Sequence, residues 1–352
     1  MAVYTTIDDA GSFFNVLKYS YASAPNAITG VGFSPNSVAL KSISGTSGGN
    51  NWYIANTVMG NTKTLRWNDT IAEATTTDSI LSFDSDGYTL GADATANCNA
   101  TGTNYVGYNW KAGTTTGIAG SPSITPSSYS FNATSGFSII KYTGNSTSGA
   151  TLPHGLGVAP KMIIVKNLTT TESWMVYHES LGATKYLILN TTAAEATNTG
   201  RWNDTAPTST LFSLGDSAST NENPYDYIAY CFADVKGYSK MGGYTGNGNA
   251  DGTFIYTGFR PAFVLNKRSD STANWVIHDS KRPASNVCNL FLKANASSAE
   301  DTDSGRYVDL LSNGFKWRGT DTEVNYSGST YIYAAFAEFP IVSSNDVPTV
   351  AR

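Results

Sequence analysis

Cysteine is scarce in this chain: three in 352 residues, Cys98, Cys231 and Cys288. Odd in number and far apart, they argue against a disulfide scaffold and predict free thiols in a protein made in a reducing cytoplasm. Charge is sparse too, at 14 % Asp, Glu, Lys and Arg, with a net charge of −5. No basic stripe exists to displace counterions, which argues against nucleic acid as a partner. Long apolar runs are missing. Met162-Ile-Ile-Val165 is strand-sized, far short of the roughly 20 residues a spanning helix needs, so no membrane insertion is expected. Met1 to Asp9 has neither a basic nor an apolar leader region, which predicts cytoplasmic synthesis without a secretory signal. Leu, Lys and Glu are few, while Gly, Ser, Thr and Asn abound and aromatics reach 12 %, a mixture suited to short strands and tight turns.

What is present is one pattern of roughly a hundred residues written three times. Gly11, Gly136 and Gly237 open the copies, 125 and 101 positions apart. Pro35, Pro160 and Pro261 keep that spacing, and Trp52, Trp174 and Trp275 lie 122 and 101 apart. The closing stretches are Tyr105–Trp110, Tyr227–Phe232 and Tyr331–Phe336. A repeat of this length matches a small domain with its own core. The expected organisation is an N-terminal arm (1–10), copy one (11–112), a Gly/Ser/Thr/Pro linker (113–135), copy two (136–236), copy three (237–340) and a tail (341–352). Copies two and three abut without a spacer.

Copy two shows the grammar. Phe137–Tyr142, Lys161–Lys166, Ser173–Tyr177, Tyr186–Leu189, Leu211–Gly215 and Tyr225–Phe232 read as strands separated by polar turns. Copy three repeats them at Phe254–Tyr256, Ala262–Leu265, Asn274–Ile277, Leu290–Leu292, Gly314–Trp317 and Tyr331–Phe336. The predicted fold is all-β, three tandem antiparallel β-sandwiches of jelly-roll type. Short helices are expected only in the Ala-rich segments Ile71–Thr75, Thr192–Thr197 and Ala296–Glu300. Trp52, Trp174 and Trp275, each two residues before Ile54, Val176 or Ile277, read as core.

Tyr142–Asn145 and Tyr244–Asn247, Gly32–Pro35 and Gly258–Pro261, Asp86–Gly91 and Tyr105–Gly113 together resemble a repeat widespread in tail-fibre and other virion proteins of marine tailed bacteriophages. The opening Tyr4–Asp9 resembles the start of such proteins, so the likeness covers nearly the whole chain. Copy one departs from it, with Tyr19-Ser-Tyr-Ala22 in place of Tyr-Thr-Gly-Asn. The resemblance implies concanavalin/LamG-like sandwiches in a non-enzymatic virion component: a tail fibre or surface appendage with an adhesive role. A capsid decoration protein is the alternative within that class. It implies other virion proteins and host-surface glycan as partners, a homo-oligomer, and a place on the virion surface.

Residues able to carry chemistry are few. A glycosidase needs two facing carboxylates, but Glu73, Glu195 and Glu300 recur at one place in every copy, which suits the fold better than a single active site. A polysaccharide depolymerase is therefore the competing class. Asp84 and Asp86, and Asp301 and Asp303, alternate as Ca²⁺ ligands do, without the distal acid of an EF-hand; no other cofactor is expected. His154, His178 and His278 lack the spacing of a zinc site. Met241–Asn249, rich in glycine, has no Gly-Lys-Ser/Thr ending and reads as a hairpin. Arg66-Trp67-Asn68-Asp69 recurs as Arg201-Trp202-Asn203-Asp204, 135 positions on and out of register with the repeat. Such a tryptophan can stack on a sugar while its polar neighbours bond the hydroxyls; the competing assignment is a strand-edge ring covering a sandwich end.

Overall fold

The computed structural model describes residues 4–348, apart from 94, 96, 284, 344 and 346. All its strand pairs are antiparallel. Each copy contributes one large sheet with the same order of its first four strands. In copy one these are Phe14–Ser20, Thr103–Trp110, Ser37–Gly45 and Tyr53–Asn56. The counterparts in copy two are Phe137–Thr143, Asp226–Phe232, Met162–Asn167 and Met175–His178, and in copy three Ser239–Thr245, Thr330–Pro340, Phe259–Arg268 and Trp275–Asp279. A small sheet accompanies each: Asn26–Thr29, Gly87–Leu90 and Ile80–Asp84; Ala150–Pro153 and Leu211–Leu214; Phe254–Tyr256, Gly314–Trp317 and Val308–Leu311.

Alternation along one strand explains the architecture. In Asp226–Phe232, Tyr227, Ala229 and Cys231 join Phe212, Leu214 and Leu152 of the small sheet in a local core. Ile228, Tyr230 and Phe232 point the other way, into a cluster that draws on all three copies. Each large sheet is therefore covered on both faces, which is why Met162–Asn167 is buried at every position. Trp110, Phe232 and Phe336, the residues that end the three closing stretches, meet there with ring centroids 6.4, 5.9 and 5.8 Å apart. Phe14 adds contacts at 5.1 Å to Trp110 and 4.9 Å to Phe336. The rings leave a cavity of about 40 Å³ lined by residues of all three copies. The copies thus share a centre; copies one and two keep separate local cores beside it, while the core of copy three is continuous with it.

The 113–135 stretch does more than connect. Ser128–Asn132 adds a strand to the edge of Phe137–Thr143, and Ile124 is buried in the copy-two core. The arm packs against copy three: the Tyr4 hydroxyl donates to Gly258 O at 2.7 Å, and Ile7 and Ala10 join the central cluster. Of the predicted tail, residues 349–352 and two others lie outside the described residues, as do residues 1–3 of the arm.

The Ala-rich segments are not helical, contrary to expectation. They are extended, with Ala74–Thr75 and Ala196–Thr197 paired as strands. Their backbone donors are drawn away to a neighbouring copy: Glu73 N to Leu168 O, Glu195 N to Ser269 O and Glu300 N to Ile43 O, at 3.0, 2.8 and 3.3 Å. A tertiary partner for the N–H overrides local helix propensity. Among the described residues the one α-helical turn, Thr199–Trp202, follows one of these segments and is capped by Asn198.

Candidate functional site

The recurring residues gather at three equivalent seams between copies. Each core tryptophan is fixed in its own copy by an asparagine: the backbone N–H groups of Trp52, Trp174 and Trp275 donate to Asn68, Asn190 and Asn295 Oδ1, at 3.0, 2.9 and 2.8 Å. Each indole N–H then crosses the seam. Trp52 donates to Lys293 O, Trp174 to Arg66 O and Trp275 to Ile188 O, at 3.0, 2.8 and 3.0 Å. The order runs one to three, three to two, two to one, so the cycle closes.

A lysine crosses beside each tryptophan. Lys41, Lys166 and Lys267 are fully buried and bond only backbone carbonyls among the described residues, reaching Ser297 O (2.8 Å), Thr70 O (3.2 Å) and Thr192 O (3.4 Å) of the adjacent copy. Burial without a paired carboxylate drives Lys41 down to about 7, and Lys166 and Lys267 to about 8. The lysines lie 125 and 101 apart, the spacing of the prolines, so the repeat carried this signal.

A second polar residue answers from the opposite side of each seam. Asn56 Nδ2 donates to the Tyr230 hydroxyl at 2.9 Å, His178 Nε2 contacts Tyr333 O at 3.2 Å, and Asp279 Oδ2 accepts from the Tyr108 hydroxyl at 2.8 Å. Strand register makes Asn56, His178 and Asp279 equivalent, since they face Ser37, Met162 and Phe263. Three different side chains stand at one position, so residue type hid the node although its spacing matches that of the tryptophans. Asp279 also holds Arg282 Nε at 2.5 Å, and Arg282 Nη1 lies 3.3 Å from Glu300. Burial opposes charge on both Asp279 and Arg282, but each partner outweighs it, leaving the carboxyl below and the guanidinium above their ordinary values.

The two Arg-Trp-Asn-Asp motifs occupy non-equivalent places. Arg66–Asp69 belongs to a seam: Arg66 supplies the carbonyl for Trp174, Trp67 packs on Trp52 at 4.9 Å, Asn68 fixes Trp52, and Asp69 caps the Thr70 N–H at 2.7 Å. Arg201–Asp204 lies outside the seams. Arg201 covers the Tyr186 ring, Trp202 is buried against Tyr177, and Asn203 and Asp204 turn the chain at φ 52° and 48°. Trp202 is thus buried, whereas Trp67 is half-buried.

The four calcium candidates are also engaged locally. Asp84 accepts from Ser82 and Thr89, both at 2.7 Å; Asp86 accepts from the Gly30 and Gly32 N–H groups at 3.0 and 2.6 Å. Asp301 caps Thr302, and Asp303 caps Gly305 and pairs with Arg306. Among the described residues no group of three or more His, Cys, Asp or Glu side chains converges. The cysteines are free and buried, and no helix of the described residues is long and apolar enough to cross a membrane.

Fold and seams define an all-β protein in which three pseudo-equivalent copies close around one axis. The family described as a domain of unknown function, DUF7483, matches residues 9–340, and the chain belongs to it. That match runs through all three copies as one unit. No curated protein and no solved structure matches the chain.

Proposed function

We propose that this chain is a bacteriophage virion structural protein, a tail fibre or surface appendage that contacts host-surface glycan or protein through loops. Each copy is read as a jelly-roll, concanavalin-like sandwich, working beside other virion proteins in a homo-oligomer. The observation that carries the reading is the closed cycle of seams. Its recurring Trp, Lys and Glu residues serve cohesion between copies, as expected of a rigid building and gripping part. The resemblance of the Tyr-Thr-Gly-Asn and Gly-Phe-x-Pro turns to virion repeats points the same way.

Antibody labelling of intact particles tests it. Label on the tail is the expected result, label over the head lattice would favour a decoration protein, and unlabelled particles would sink the virion reading. Depolymerisation of host envelope polysaccharide, lost on substituting one carboxylate, would replace it with an enzyme on the same fold.

A further inference from the structure

The three seams also differ at a second position. Lys18, Lys141 and Gly243 are equivalent, because they pair with Val106, Ile228 and Ile332 in the three closing strands. In copy two Lys141 Nζ lies 3.5 Å from Asp226. In copy one Lys18 acts on Glu300: burial raises that carboxyl, and Lys18 is among the cations pulling it back. Copy three has lost both members of the pair, with Gly243 for the lysine and Thr330 for the aspartate. The space left open is a groove of about 420 Å³ between copies two and three, within the roughly 300–1,000 Å³ of ligand pockets.

The lining is polar and close to neutral. Copy two supplies Ser180 and the Lys185–Glu195 ion pair; copy three supplies Thr245 and Thr330 beside Gly243. Glu195 spends one carboxylate oxygen on Lys185, and its other oxygen has no partner among the described residues. A cation and an anion side by side offer a donor and an acceptor at the spacing of adjacent hydroxyls. Serine and threonine hydroxyls either donate or accept. We propose that this groove binds a neutral saccharide ring through vicinal hydroxyls, with Lys185 and Glu195 addressing one pair and the hydroxyl residues the rest. The assignment rests on the adhesive part of the proposed function and names a site for it.

Titrating the full chain with methyl glycosides of glucose, galactose and mannose, followed by amide shifts, tests the idea. A saturable response of at least one glycoside at Gly243, Thr245 and Thr330 is expected. Refilling the groove as in copy two, with G243K and T330D together, should weaken binding at least about tenfold. A Cβ at 243 would meet Ser180 Cβ and Tyr331 O, both at 3.2 Å. Ser180 sits on an exposed turn and can yield, and the strand must give by a few tenths of an ångström at Tyr331, so the melting temperature of the double variant is measured beside its binding. Glu195→Gln, which keeps the backbone bond to Ser269, should weaken binding without lowering the melting temperature. Glycan binding that ignores all three substitutions would overturn the groove yet leave adhesion standing, while no glycoside response would count against both. Saturable binding of n-butylammonium in place of the glycosides would overturn the saccharide assignment.

Discussion

A tryptophan that both fills the core and hooks the next copy loses two things when truncated. Trp174→Ala should cost about 3–5 kcal/mol through cavity formation. Trp174→Phe should cost about 1 kcal/mol, mainly by removing the indole bond and leaving Arg66 O only the longer one from Asp69 N–H at 3.3 Å; denaturant unfolding separates the two. Histidine sets the acid limit. His154 and His178 each accept a backbone N–H at Nδ1, from Leu156 and Ser180, and meet a carbonyl at Nε2. That geometry requires the neutral ring, and burial lowers both to about 4. Above pH 6.5 both states are neutral. Below it only the unfolded state takes up the proton, so stability should fall between pH 6.5 and about 4, by on the order of 3 kcal/mol per ring. The lysines act with the same sign in a higher pH window. Below about pH 7 they are charged in both states and burial carries its full cost; toward pH 10 the folded state sheds protons first, so their contribution to stability rises. Lys166→Met should flatten that rise in pH-dependent melting curves. The tryptophans were legible because identity and spacing recur together. The Asn56, His178 and Asp279 node was not, since register holds the position while the side chain varies.

The turns carry their own constraint. In Tyr142–Asn145 the Tyr142 ring stacks on Tyr227 at 5.3 Å, and in Tyr244–Asn247 Tyr244 stacks on Tyr331 at 4.9 Å. The glycine after each permits a close backbone approach. A Cβ on Gly144 would stand 2.5 Å from Glu222 O, and one on Gly246 2.3 Å from Tyr326 O. Gly246→Ala should therefore lower stability by about 1–3 kcal/mol, whereas Gly182→Ala meets no neighbouring atom and pays only for its φ of 77°. Copy one lacks the motif but not the stack, since Tyr19 lies 5.1 Å from Tyr105. The strands of copies two and three were readable from apolar runs between polar turns. The Ala-rich segments were misread as helical because their hydrogen-bond partners, such as Ser269 for Glu195 and Ile43 for Glu300, lie far off in sequence, beyond any local pattern.

With the cores of copies one and two packed beside a centre that runs on into copy three, the molecule should unfold as a unit. Calorimetry is expected to show a single transition with equal calorimetric and van't Hoff enthalpies. Residues 237–340 expressed alone should expose Phe263, Leu265 and Phe336 and aggregate or stay partly folded; a stable monomer would mean that the centre is dispensable. The repeat made three equivalent copies legible, but nothing in it gave their closure, because the seams rest on backbone carbonyls that any residue supplies. Closure also brings distant parts of the chain together. Both Thr5 and Pro340 lie within 3.3 Å of where a Cβ on Gly237 would stand. A short peptide joining those two ends, with new termini cut between Thr115 and Gly120, should give a circular permutant that folds to the same ring, its chain now leaving from a different corner.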